Sequence, residues 1–288
     1  MRAWLSMSLF KAYMFWAWSM TCIPVVWGLW YSWRYAWWRP TVSYEFPRIL
    51  MYHMITCPRK GSRYNGMRVS PAAFEEQIKW LRNEGWSFHT VSELLENETD
   101  LPQKSVAITF DDGYVDNVSA ALPILQRYQA KATIYVIVGQ DLKDWSSQKN
   151  ENHHSGELLL EPRMNENQWI ELVNSGLIEL GSHTMTHCNF LKNDHTTIFQ
   201  ELVSSKQRLE EVLGLEVKTF AYPFGLYNSE DVQRVSQAGY QNAVTTERGM
   251  IEISCADRFR LKRIKISGKE GLRAFKLRVR TGWRGVNK

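Results

Sequence analysis

Short apolar runs recur along the chain, and stretches whose apolar positions repeat every three or four residues separate them. The runs at 49–52, 106–110, 132–138, 178–181, 219–221 and 243–246 are rich in Ile, Val, Phe and Tyr and read as strands. Helical spacing is expected over Pro71–Asn83, 118–128, Glu166–Asn174 and Ser229–Gln237, with Ser70 placed to cap the first and Pro71 at its first position. A longer helix follows His195, with Ile198, Leu202, Leu209 and Leu213 on its apolar stripe, and a short one follows His89 at 91–95. Strand and helix alternating in this way predict an α/β fold with a mainly parallel sheet. The polar stretch 141–165 interrupts the alternation and reads as a surface insertion, so His153 and His154 are assigned to a loop.

The first forty residues are a different physical object. Residues 12–33 form a run of 22 positions without a charge, and eight of the 13 Trp lie within the first 38 residues. A bilayer core needs about 20 helical residues, and indoles favour the headgroup interface. The run is therefore expected to be a transmembrane helix, an uncleaved signal anchor over residues 1–40. Residues 41–288 then form one catalytic domain, long enough for a large core and without an internal repeat. The expected location is the cell membrane, single-pass, with the catalytic domain on the extracytoplasmic side.

Net charge is +5, and the excess is late: Lys269, Arg273, Lys276, Arg278, Arg280, Arg284 and Lys288 face only Glu270. A basic C-terminal tail of this kind can touch anionic phospholipid or an acidic polymer. No nucleic-acid-binding motif accompanies it, and nucleic acid is not an expected partner. Cys22, Cys57, Cys188 and Cys255 have no paired spacing and predict neither a disulfide framework nor a zinc knuckle. Oligomeric state has no signal in the sequence.

The candidate chemistry lies at strand ends. Asp111 and Asp112 follow the apolar run 105–110 directly, and His183 and His187 follow 177–181, so four polar groups collect where β/α folds place their ligands. Two histidines four apart can aim both imidazoles at one divalent ion, and one carboxylate completes a set of three ligands. Open coordination positions then remain for water and substrate, the hallmark of a catalytic site.

Asp111-Asp112, the pair His183/His187 and the segment Phe220-Ala221-Tyr222-Pro223-Phe224-Gly225, in this order, resemble the polysaccharide deacetylase (NodB-homology) family, carbohydrate esterase family 4, over residues 48–266. The resemblance implies a distorted (β/α) barrel of about seven strands. It implies Asp111 as general base, Asp112, His183 and His187 as metal ligands, and a groove lined by Tyr222, Pro223, Phe224 and Gly225 that contributes to the oxyanion site. Two departures stand out. Many members carry an Arg, which orients the base, where this chain has Ala221, and the usual C-terminal acid histidine is missing because no histidine follows His195. The Met51-Tyr52-His53 element resembles a permuted branch, the poly-N-acetylglucosamine deacetylase-like one, whose acid histidine enters from the first strand, which implies His53 as proton donor.

The expected cofactor is a divalent metal, Zn²⁺ from its two imidazoles and carboxylate, with Co²⁺ or Fe²⁺ suited to similar ligands. Such an ion lowers the pKa of a coordinated water from about 15.7 toward 7. The expected partner is an N-acetylated glycan polymer. Deacetylation or deformylation of a lipid-linked sugar uses the same groups. A catalytically inactive glycan-binding module would not need the base and ligands, and a non-haem iron oxygenase would not need the adjacent second Asp.

Overall fold

A computed structural model describes residues 2–97, 99–139, 156–250 and 257–283. Eight strands are β1 (Arg48–Tyr52), β2 (Ser87–His89), β3 (Ser105–Phe110), β4 (Ala132–Val136), β5 (Ile178–Ser182), β6 (Thr219–Ala221), β7 (Asn242–Arg248) and β8 (Leu261–Lys265). Every pairing among them is parallel, and β1 pairs with both β8 and β3, which closes a ring in the order β1-β3-β4-β5-β6-β7-β8. The eighth strand, β2, stays outside the ring. It pairs with Ser105–Ala107 of β3, whereas β4 pairs with Ile108–Phe110, so the two share one edge of β3 and the barrel is split at its lower end. This is the distorted seven-stranded barrel expected from the sequence.

The helices are α1 (Arg2–Tyr35), α2 (Pro71–Asn83), α3 (Val91–Glu96), α4 (Leu122–Arg127), α5 (Glu166–Asn174), α6 (His195–Leu213), α7 (Ser229–Gln237) and α8 (Leu272–Thr281). Local chemistry sets their ends, and the Ser70 cap with Pro71 in the first turn is the one the sequence predicts. Ser70 accepts from the Ala73 amide ahead of α2, Thr90 and Glu93 form a capping box at α3, and Asn228 with Asp231 form another at α7. The expected helix at 118–128 is in two parts, a π-helical turn at Asn117–Ala121 followed by α4. The π turn is the point where Asn117 reaches down to donate to the His53 carbonyl at 2.9 Å.

Two apolar layers follow from the period of two along each strand. Leu50, Tyr52, Ile108, Phe110, Ile134 and Val136 point outward and pack under the helices. Ile49, Ala107, Tyr135, Ala221, Val244 and Leu261 point inward and form the barrel interior, which Val91, Leu94 and Leu95 of α3 plug from below. Counting on by two from these inner positions reaches His53, Asp111 and Arg263.

The first helix does not meet the expectation placed on it. It runs for 34 residues, about 51 Å at 1.5 Å per residue, which is longer than a bilayer core. Yet among the described residues no helix is long and apolar enough to cross a membrane. Length is therefore sufficient and hydropathy is not, because Trp, Tyr, Ser, Thr and Pro24 occupy much of the run. The spanning anchor read from the sequence is not supported. Within the basic C-terminal segment, Leu272–Thr281 is a helix, with Arg278 buried against Glu270.

His153, His154 and Cys255 lie outside the described residues. His89 sits on β2 near Ser105 Oγ, and His195 opens α6 on the surface. Gly181 tests how tightly the barrel is filled, since a Cβ there would lie 2.6 Å from the Tyr135 ring and 2.7 Å from Thr219. Gly181→Ala should therefore destabilise the fold by about 1–3 kcal/mol through overpacking, read as a lower denaturation midpoint with an unchanged slope.

Candidate active site

The upper rim of the barrel collects the polar residues. His53 follows β1, Asp111 and Asp112 follow β3, His183 and His187 follow β5, Tyr222 and Phe224 follow β6, Thr246 and Arg248 end β7, and Lys265 ends β8. They line one cavity of about 370 Å³ together with Met51, Tyr64 and Met67. Every site residue expected from the sequence belongs to it or to the turn beside it.

Asp111 and Asp112 are adjacent in sequence but serve opposite directions. Asp112 has φ 75° and Gly113 φ 71°, and this left-handed turn swings the second carboxylate away from the first. Gly113 is needed twice over, because a Cβ would lie 3.0 Å from Val136. Asp111, its amide held by the Tyr52 carbonyl at 3.1 Å, points into the barrel. There it meets Arg263 in a bidentate pair, Nη1 to Oδ1 at 2.7 Å and Nη2 to Oδ2 at 2.8 Å. Arg263 also donates to Thr109 Oγ1 at 3.0 Å and, through Nε, to the Thr245 carbonyl at 2.8 Å, so its fork is fixed from three sides. Burial alone would raise the Asp111 carboxyl, but the charge and hydrogen bonds of Arg263 prevail and hold it at about 2.

Asp112 faces the histidines. His183 Nδ1 lies 2.7 Å from the Ala221 carbonyl, which can only accept, so Nδ1 carries the proton and Nε2 presents a lone pair. His183 Nε2 and His187 Nε2 are 3.2 Å apart, and each is 3.5 Å from Asp112 Oδ1. A metal with bonds of about 2.0–2.1 Å in tetrahedral geometry has ligand–ligand edges of about 3.3–3.4 Å, so these three atoms form one face of such a site. Asp112, His183 and His187 are also the one metal-competent cluster of His, Cys, Asp and Glu among the described residues. Without a cation the arrangement is costly: burial and the neighbouring Asp111 push the Asp112 carboxyl up to about 8. Burial lowers His183 and favours its neutral, ligating form. The residues fit a divalent ion.

The histidine segment is a loop. Thr184 and His187 both have positive φ, 66° and 59°. Glu201 of α6 pins the turn by accepting from the Met185 and Thr186 amides at 2.9 and 3.0 Å, and Thr184 Oγ1 accepts from the Cys188 amide at 3.0 Å. Cys188 itself is buried, and burial first among its causes raises the thiol to about 12, so it packs rather than reacts. Phe224 is another strained residue, φ 60°, and its ring packs edge-on to His187 at 4.3 Å. Strain of this kind concentrates where geometry serves a site.

In the segment Tyr222 to Gly225, expected from the sequence to contribute to the oxyanion site, the Tyr222 amide donates to Val244 and the Gly225 amide to the Tyr222 carbonyl, while Pro223 has no amide proton. The turn also forms a wall of the cavity, with Tyr222 stacked on Tyr227 at 4.4 Å. His53 enters the cavity from below, and burial, followed by the charges of Lys265 and Arg263 against that of Asp111, lowers it to about 4.

Sequence reasoning missed Arg263 and Lys265. Arg263 occupies the place of the Arg expected at Ala221, but it comes from β8, and Ala221 is left to fill the barrel interior. Alternation in the sequence puts Leu261, Arg263 and Lys265 on one face, and the register of β8 shows that this face is the inner one.

The family model for polysaccharide deacetylases matches residues 98–243. The provisionally named polysaccharide deacetylase YxkH of Bacillus subtilis strain 168 is 33% identical over 74% of this chain and 69% of its own. The chain belongs to the polysaccharide deacetylase family. A poly-beta-1,6-N-acetyl-D-glucosamine N-deacetylase of Staphylococcus aureus strain MRSA252 is 30% identical over 69% of this chain and 68% of its own. The solved Streptococcus pyogenes deacetylase PplD, in complex with acetate, superposes with a TM-score of 0.66 at 26% identity, over 82% of this chain and 97% of that one. This polysaccharide deacetylase is thereby a hydrolase acting on an N-acyl bond. The matched region of the family model starts after β1 and ends within β7, so it excludes both His53 and Arg263.

Breaking the buried pair by Arg263→Gln leaves Asp111 without its counter-ion and should cost about 3–5 kcal/mol in urea unfolding. The three metal-facing atoms do not depend on Arg263, so the variant should still take up one equivalent of Zn²⁺ in a titration. Metal loss together with the stability loss would mean that the two halves of the site fold as one unit.

Proposed function

We propose that this chain hydrolyses N-acetyl groups from N-acetylglucosamine units of a cell-surface or cell-wall polysaccharide, on the extracytoplasmic side of the membrane. The observation that carries the reading is the triangle of Asp112 Oδ1, His183 Nε2 and His187 Nε2 beside the Arg263-held Asp111. The polymer acted on by the Staphylococcus relative supports the substrate class, and the open cavity suits one sugar of a chain.

Asp112, His183 and His187 would hold a divalent ion, Zn²⁺ being the natural choice for two imidazoles and a carboxylate. When bound, the ion supplies Lewis acidity to the attacking water and the acetamido carbonyl. Asp111 accepts the water's proton. Its bidentate pairing with Arg263 keeps it ionised and fixes its lone pairs, which matters more here than basicity. Tyr222 and Phe224 form the wall that orients the acetamido group. His53 passes a proton to the departing nitrogen. Because it is neutral in the resting protein, the proton Asp111 has collected must recharge it. Acetate and a glucosamine unit leave.

Acetate release from N-acetylglucosamine oligomers should require metal: chelator should abolish it and Zn²⁺ or Co²⁺ restore it. Absence of release from metal-loaded full-length chain would reject the reading.

Three variants divide the roles. Asp112→Ala should lose metal and activity together. Asp111→Asn and His53→Ala should keep metal while kcat falls by about 10²-fold or more. A metal-loaded His53→Ala enzyme with undiminished kcat would remove His53 from the mechanism.

A further inference from the structure

A second cavity, of about 530 Å³, is not at the catalytic rim. It lies at the opposite, N-terminal end of the barrel, between the end of α1 and the end of α8. Tyr31, Trp37 and Trp80 supply aromatic walls, and Arg273, Lys276 and Arg280 supply charge; no carboxylate lines it. Arg273 sits 4.8 Å over the Tyr31 ring and Lys276 5.3 Å over the Trp80 ring. Arg280 donates to the Trp37 carbonyl, which ties α8 to the segment leaving α1. Two buried donors of the lining, Tyr31 Oη and Arg280 Nε, have no acceptor. Three cations, two donors lacking acceptors and no acid define a site for an anion.

The surroundings identify the anion's attachment. From the cavity, α1 carries Val25, Val26, Trp27, Leu29, Trp30 and Trp33 to the surface, with Val26 62% and Trp27 63% exposed. Exposed Trp rings beside basic residues suit a lipid headgroup region, where indoles prefer to sit.

We propose that this pocket binds the phosphate of an anionic phospholipid, with α1 lying in the headgroup region. Arg273 and Lys276 attract the phosphate, and a side-chain rotation at the pocket floor lets Tyr31 Oη and Arg280 Nε donate to its oxygens. The strands are about 16 Å long at 3.3 Å per residue, so a protein held at this end presents its catalytic rim away from the bilayer.

The test is co-sedimentation of the full chain with vesicles of phosphatidylcholine alone and of phosphatidylcholine with phosphatidylglycerol. Binding should require phosphatidylglycerol. Arg273→Ala with Lys276→Ala should weaken it about 30-fold, at about 1 kcal/mol per cation near the surface. Lys192→Ala with Lys269→Ala, which removes the same charge elsewhere, should leave binding unchanged, as should Arg273→Lys. Deacetylation of soluble oligomers should be equal in all of these proteins, which also shows that they are folded.

Equal losses in the two double variants would overturn the site in favour of diffuse surface charge. Equal binding to both vesicle types would overturn the phosphate. Inorganic phosphate that binds the protein without displacing it from phosphatidylglycerol vesicles at matched ionic strength would assign the pocket to a free anion and overturn the lipid.

Discussion

The buried pair of Asp111 and Arg263 is the contact on which the catalytic rim depends. It joins the end of β3 to the middle of β8 across β1, at the floor of the catalytic cavity. A carboxylate and a guanidinium, exposed by only 3% and 1%, are stable there because both oxygens and the guanidinium nitrogens are satisfied together. The same satisfaction fixes the direction of Asp111. A carboxylate in water samples many rotamers, whereas this one has one orientation, with Thr109 and the Thr245 carbonyl holding its partner. Stability and preorganisation therefore come from the same hydrogen bonds.

The metal-facing half of the site obeys a different constraint. Asp112, Thr184, His187 and Phe224 all have positive φ without being glycine, and they converge on one rim of the barrel. Each left-handed residue is disfavoured by roughly 1–3 kcal/mol on its own, and the cost persists because Glu201, the Ala221 carbonyl and the packed Phe224 ring leave no other arrangement. Asp112 Oδ1, His183 Nε2 and His187 Nε2 lie within 3.5 Å of one another, a spacing that a divalent ion would bridge.

Much of this was legible in the sequence because strands announce their ends. The turn Asp111-Asp112-Gly113 and the pair His183 and His187 follow apolar runs directly, the alternation of helices and strands predicts a mainly parallel sheet, and its closure into a barrel is what the family resemblance implies. Arg263 was not found because its signal is relational. A strand reading Leu261-Lys262-Arg263-Ile264-Lys265 contains three cations, and only the register of β8 on β1 and β7 shows which of them is inside. Ala221 misdirected the reading for the same reason: an Arg contributed by another strand can fill the same space. The N-terminal helix is a different case: absence of charge is visible in the sequence, but indole and phenol rings carry polar groups, and among the described residues no helix is long and apolar enough to cross a membrane.

The two ends of the barrel then divide the labour. Parallel strands send every C-terminus to one rim, so the groups that need turns and strain gather there, and the N-terminal end is left to the plug α3 and the helix ends of α2 and α8. Aromatic and basic residues accumulate at that lower end without disturbing the site, because the interior layer of Ile49, Ala107, Tyr135 and Leu261 separates them from it. A polymer approaching the upper rim meets no part of the lower surface. An enzyme built this way can be held at a boundary by one end and still work on a chain that is far too large to enter it.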